Sequence, residues 1–268
     1  MPEPTVYPAA TVLLLRDTAA GLQVFMVVRH YDIDSFSGAL VFPGGKLDPA
    51  DRDPGLRDCS AGVAHCDAQE LAFRVAAVRE SFEECGVLLA RRRGQSELLQ
   101  QAELGVLQPY RQALLENRIG MLELCQAENL ELALDQLRPF AHWITPRLRP
   151  KVFDTHFFLA ATPPSQQAIH DGHEALDSMW IGSQEAIQKA EAGSLNVIFP
   201  TRMNLQRLNR VASVSEAFAM TAREPIIPVQ PEVEIRPDGQ IMTIPPHTPY
   251  GVRRVFIPKD GRLFKVLE

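Results

Sequence analysis

A chain of 268 residues with 46% hydrophobic side chains is long enough to bury a substantial core, and 27 basic against 33 acidic residues leave a net charge of -6. That balance excludes a surface built as a whole to attract nucleic acid or an anionic bilayer, and no apolar run approaches the length of a membrane span. Cys59, Cys66, Cys85 and Cys125 form no C-x-x-C pair, and the opening stretch has neither the basic start nor the cleavage site of a secretory leader, so reduced thiols and a cytoplasmic location are expected.

In chain order, residues 9–17 (AATVLLLRD) and 22–30 (LQVFMVVRH) read as two strands around a polar turn, a hairpin that opens a sheet. In residues 35–53 (SFSGALVFPGGKLDPADRD) glycine and proline punctuate a short strand, and a polar loop follows to about Asp67. There the period changes. Asp67 and Glu70 have capping-box spacing and Gly86 is a C-terminal stop, which predicts a helix over 68–85. Leu71, Val75, Val78, Phe82 and Cys85 fall on one stripe of that helix, and Glu80, Glu83 and Glu84 cluster on the side opposite it.

From about 95 to 140 the composition is rich in Leu, Glu, Gln and Ala, which predicts a helical insert broken near 105–109 and at Gly120. Residues 151–164 (KVFDTHFFLAATPP) and 176–182 (LDSMWIG) read as strands returning to the sheet. Ser183 caps a helix through Glu191, a further helix is expected over 201–222, and a proline-rich extension over 225–268 carries strand-like pieces at QIMTI and RRVFI. Those apolar pieces could serve a homodimer interface or pack on their own domain.

Three carboxylates on adjacent helical positions repel one another by a few tenths of a kcal/mol per pair on an exposed helix, and by more when buried. One reading is a solvated face with Arg79 or Arg91 as neighbours. The other is a divalent-cation site, since Mg²⁺ takes oxygen ligands shared among carboxylates, waters and phosphates. The two glycines of FPGGKLD would let backbone approach such a site closely, and a carbonyl there could complete the metal shell.

Taken together, Gly45, Arg79, Glu80, Glu83, Glu84 and Gly86 resemble the Nudix box G-x5-E-x7-R-E-U-x-E-E-x-G-U, with Ser81 where an aliphatic residue is usual. Asp51 stands where the first Glu of the box should fall, yet it lies 28 residues before Arg79, so the box is split by about twenty residues. A loop of that size adds roughly 1 kcal/mol of closure entropy. The split, with the runs SFSGALVFPGGKLDPAD, LAFRVAAVRESFEECGVLL and ITPRLRPKVFDTHFFLAATPP, resembles the Nudix-motif-19-type coenzyme A and acyl-coenzyme A diphosphatases over roughly residues 10–222.

The resemblance implies an α+β Nudix fold, a mixed β-sheet sandwiched between helices, as a single domain over 1–268 with its split box at about 44–88. It implies Mg²⁺- or Mn²⁺-dependent hydrolysis of a pyrophosphate bond in a nucleoside diphosphate-type small molecule. Coenzyme A is the nearest substrate; ADP-ribose, NAD(H) and dinucleoside polyphosphates follow. Glu80 and Glu84 would be the principal metal ligands, Glu83 a ligand or the base, Gly45 a further ligand and Arg79 a partner of neighbouring carboxylates. Gly44, Gly45 and Arg29 would lie against substrate, and Glu174 would add an acidic group near the metals. His30, His156, His170 and His173 are candidates for phosphate or base contact. The run Arg91, Arg92, Arg93 suits the helix C-terminal dipole, with phosphate contact a secondary role. A non-catalytic nucleotide sensor is the competing reading, and RNA decapping is disfavoured because basic and aromatic residues are not interleaved.

Overall fold

The computed structural model describes residues 4–30, 38–148, 151–170, 172, 175–259 and 264–268. Two apolar runs open the chain as β1 (Thr5–Thr18) and β2 (Gly21–Arg29), antiparallel with Leu15 opposite Val24, and Gly21 at φ 106 makes the turn between them. Then come β3 (Leu40–Val41), β4 (Gly44–Lys46) and the helix α1 (Ala68–Cys85). Next are β5 (Ala90–Arg92), three short helices α2 (Gln101–Val106), α3 (Gln108–Leu115) and α4 (Met121–Ala127), and β6 (Leu130–Leu132), which pairs with β5. The strands β7 (Arg138–Ile144), β8 (Lys151–Ala161) and β9 (Ala175–Ile181) return to the main sheet.

That sheet runs β3-β2-β1-β8-β7, with β4 also on β1 and β9 also on β2. The pair β1–β8 is parallel and the others are antiparallel, so the sheet is mixed. β2 pairs with β1 at Leu15–Thr18 and β4 pairs with it at Ala9–Thr11. The period-two alternation of β1 sends Ala10, Val12 and Leu14 into one apolar layer, with Leu71, Val75, Val78 and Phe82 of α1 and the leucines of the insert. Leu13 and Leu15 enter the other layer, against the helices α5 (Ser183–Glu191), α6 (Phe199–Leu208) and α7 (Val214–Arg223). This is the helix–sheet–helix arrangement expected.

The helix over 68–85 stands at its expected bounds. Asp67 accepts from the Glu70 N–H at 2.7 Å, and Gly86 closes the helix at φ 68. Glu70 does not return to Asp67; its carboxylate takes two bonds from Arg74. Three expectations are corrected. The helical part of the insert spans 101–127 rather than 95–140, because residues 138–144 form β7, an edge strand whose Phe140, Ala141 and Trp143 are buried. The helix over 201–222 is two, since α6 ends at Leu208 and Ser213 caps α7 by accepting from the Glu216 N–H. Ser183 is the first residue of α5, with Gly182 in the cap position.

The C-terminal extension folds into an antiparallel sheet of β10 (Glu232–Arg236), β11 (Gly239–Thr243), β12 (Arg254–Pro258) and β13 (Lys265–Val266). It packs on its own chain: Trp143 donates to the Tyr250 hydroxyl, which donates to Asn204, both at 2.8 Å. No helix among the described residues is long and apolar enough to cross a membrane.

Candidate active site

The acidic turn of α1 is not a solvated face. Glu80, Glu83 and Glu84 are only 7%, 7% and 5% exposed, so α1 is buried on its polar side as well as along its apolar stripe. What covers that side is the Gly-Gly pair, which forms the strand β4 rather than a turn. A Cβ on Gly45 would lie 2.5 Å from Glu80 Oε1, and one on Gly44 would lie 2.4 Å from the Ala10 carbonyl oxygen. At Gly44, with φ 155, the backbone of β1 leaves no room for a side chain, and at Gly45 a side chain would displace the Glu80 carboxylate. The Gly44 N–H donates to Glu84 Oε2 at 3.0 Å.

Arg79 organises the cluster through all five of its N–H donors. Nε and Nη2 grip Asp51 Oδ1 and Oδ2 at 2.9 Å each. Nη1 donates to Glu80 Oε1 at 3.0 Å and to Glu83 Oε2 at 2.9 Å, and the second Nη2 bond goes to the Lys46 carbonyl at 2.9 Å. Asp51 is itself buried and also accepts from the Asp48 N–H. The acidic residue at the first-Glu position therefore reaches Arg79 despite the split. The intervening residues fold compactly: two 3-10 turns, Pro49–Arg52 and Pro54–Cys59, lead to a loop tied by Arg57 to the carbonyls of Val63 and Cys66. Ser81 is also accounted for, since its buried hydroxyl donates to the Val87 carbonyl just beyond the helix end. From α3, Arg111 donates to the Glu83 carbonyl at 3.0 Å, so the insert buttresses the acidic turn.

Electrostatics follow burial. Desolvation works to lower the pKa of Arg79, but Glu80, Asp51 and Glu83 outweigh it and hold the guanidinium above its ordinary value. Burial pushes the Glu83 carboxyl up to about 7; Arg79 opposes that shift, while Asp48 and Asp51 add to it.

Beside the acidic turn lies a cavity of about 1450 Å³. One part is polar: Gly44, Gly45, Lys46, Asp48, Glu80 and Glu83 line it, with Arg29 and His30. Glu84 does not line it. The Arg29 Nε is buried without a hydrogen-bond partner among the described residues, a donor that an anionic ligand would satisfy. Another part is apolar and aromatic, walled by Trp143, Phe153, Phe157 and Phe199, and the C-terminal extension supplies Ile235, Met242, Ile257 and Phe264 to it.

Other candidates sit elsewhere. Glu174 and His173 lie outside the described residues. His170 pairs with the Ser178 hydroxyl, and neither lines the cavity. His156 stacks on Phe73 of α1 with ring centroids 3.9 Å apart, and burial, with His142 beside it, lowers its pKa to about 4. Arg91 makes a double ion pair with Asp135, Arg92 bonds Glu103 and the Glu128 carbonyl, and Arg93 bonds the Asp58 carbonyl. Sequence reasoning missed Asp48, Lys46, Arg111 and the aromatic wall. The first two lie within three residues of the glycines, which was the available signal; Arg111 and the wall come from distant segments that only the fold joins.

The donor set fits a divalent cation. It offers hard carboxylate oxygens with backbone carbonyls close by, the ligand type of Mg²⁺ and Mn²⁺ rather than of soft metals. Arg79, with one positive charge, faces Asp51, Glu80 and Glu83, and the excess negative charge is what a cation would offset.

Comparison with known proteins identifies the family and the fold. The sequence profile of the NUDT19 Nudix domain matches residues 61–208. Acyl-coenzyme A diphosphatase NUDT19 of Gallus gallus is 27% identical over 226 residues, covering 66% of this chain and 58% of that protein. The Homo sapiens protein of the same name is 25% identical over 272 residues, covering 85% and 72%. This chain thus spans between about half and three quarters of the length of these relatives. The crystal structure of a NUDIX hydrolase from Alicyclobacillus acidocaldarius superposes with a TM-score of 0.67 at 26% identity, covering 81% of this chain and 96% of that one. Nudix hydrolases generally use divalent metals.

Proposed function

The chain belongs to the Nudix hydrolases of the NUDT19 type, and from that premise we propose that it hydrolyses the diphosphate linkage of coenzyme A or an acyl-coenzyme A. The observation that carries the substrate class is the two-sided cavity, in which a buried acidic cluster and an orphaned arginine donor share one space with an aromatic wall. A molecule with a diphosphate in its middle and an apolar arm matches both parts. ADP-ribose, NAD(H) and dinucleoside polyphosphates can stack a base on the aromatic wall, but they carry no aliphatic arm to fill the side lined by Ile235, Met242 and Ile257. The chicken and human relatives, both named acyl-coenzyme A diphosphatases, point the same way.

Glu80, Glu83 and Glu84, with the Gly45 carbonyl, are the groups proposed to hold Mg²⁺ or Mn²⁺; Glu174 is a further ligand proposed on the sequence alone. The ion would neutralise phosphate charge and acidify a water. Glu83, which lines the cavity, is either a ligand of that ion or the group that would take the proton of a water attacking phosphorus. That attack forms a new P–O bond, breaks the bridging P–O bond and leaves one phosphomonoester at the cleaved end of each fragment. Arg29 would receive a phosphate oxygen on its Nε. Arg79 is a positioning residue, for it holds Glu80 and Glu83 in orientation through Nη1.

The test is to incubate the full chain with Mg²⁺ and, in parallel, coenzyme A, acetyl-coenzyme A, a long-chain acyl-coenzyme A, ADP-ribose, NADH and diadenosine polyphosphates, with products resolved by chromatography. The expected result is preferential cleavage of the coenzyme A compounds. Preference for ADP-ribose would overturn the substrate, and no cleavage of any compound would overturn the activity.

A further inference from the structure

Away from the acidic turn, the antiparallel pair β7–β8 sets His142 directly opposite His156 and Ile144 opposite Asp154. The period-two alternation of β8 puts Asp154 and His156 on one face, and His142 joins them across the strands. One donor atom from each of the three side chains lies within 4.8 Å of the others. His142 Nε2 is 2.5 Å from Asp154 Oδ1, and His156 Nε2 is 4.0 Å from the same oxygen, beyond hydrogen-bond reach. The two imidazoles lie side by side with centroids 4.1 Å apart, and Phe73 clamps the ring of His156.

We propose that His142, Asp154 and His156 form a second metal site, for a transition ion of the zinc class, that ties the edge strand β7 to β8. Two imidazoles and one carboxylate suit borderline ions such as Zn²⁺ and Co²⁺ and do not suit Mg²⁺, which favours oxygen ligands. Bonds of about 2.1 Å to a tetrahedral ion place donor atoms roughly 3.4 Å apart, so the three groups need shift only by about an ångström to close on it. Their side chains are 16%, 28% and 33% exposed, open enough for an ion to enter and for water to fill a fourth position. Binding displaces the proton shared by His142 and Asp154. None of the three lines the cavity, and Phe73 is six residues before Arg79, roughly 9 Å along α1, so this site is separate from the carboxylate cluster.

The experiment uses the full chain, stripped with chelator, returned to millimolar Mg²⁺ to fill the carboxylate cluster, and titrated with Co²⁺ as a visible-absorption probe. The expected result is one absorbing Co²⁺ per chain that Zn²⁺ displaces. Affinity should fall at least about tenfold in His142→Ala and in Asp154→Asn and stay unchanged in Glu84→Gln. Far-UV melting checks that each variant folds, and the partly exposed Asp154→Asn carries the test if His142→Ala does not. No visible band, a band unaltered in His142→Ala and Asp154→Asn, or a band lost only in Glu84→Gln would overturn the proposal.

Discussion

Arg79 is where the architecture of the acidic turn is most concentrated, because its five donors join three carboxylates and a backbone carbonyl. Removing it leaves Asp51 and Glu80 buried without their cation. Arg79→Ala should therefore cost roughly 3–5 kcal/mol in urea unfolding. Asp51→Asn added to it should cost less than it does alone, since the two act as one unit. A second consequence concerns protons. The Glu83 carboxyl sits at about 7 in the folded chain, above its ordinary value of 4.5, so the folded state holds the proton more tightly. That contribution is complete below the unfolded value and is lost as pH rises through about 7. His156, lowered to about 4, acts with the opposite sign at lower pH, so only the difference between chains isolates Glu83. In metal-free protein, the Tm of the wild type should fall relative to Glu83→Gln between pH 5 and 8; a constant difference would refute it.

Among elements, α1 carries the most information in the least sequence. Its apolar stripe, its Asp67 cap and its Gly86 stop are all local, so its bounds were legible residue by residue. At the stop, Gly86 has φ 68 and a Cβ would come within 3.1 Å of Arg111 Nη1. Gly86→Ala should destabilise the chain by roughly 1–2 kcal/mol in thermal or urea unfolding. Strand β7 was not legible, because RPFAHWI follows a run of helix-forming residues, contains Pro139 and has a register shift at Pro139/Ala141 that breaks the simple alternation. The contact of Asp51 with Arg79 was equally hidden: Asp51 stands at the first-Glu position of the box, but 27 residues separate it from Arg79. Only the docking of the 3-10 turns closes that gap.

At the scale of the molecule, the C-terminal extension proves to be a wall rather than an appendage. Its strands were readable from their apolar pieces, but that they roof a cavity shared with the acidic turn is a long-range fact no window of sequence contains. Ile235 lines the cavity while remaining 69% exposed, so a charge there should leave folding intact. Ile235→Glu should raise KM for long-chain acyl-coenzyme A by roughly tenfold, as desolvating a charge against an apolar arm requires, and leave free coenzyme A unchanged. Equal effects on both would detach the extension from substrate selection. Most direct for the chemistry is the initial rate of coenzyme A hydrolysis with Mg²⁺ in wild type and Glu84→Gln, both checked for folding. A fall of at least roughly 100-fold in kcat is expected if the buried glutamates hold the catalytic metal, and equal turnover by the two proteins would contradict it.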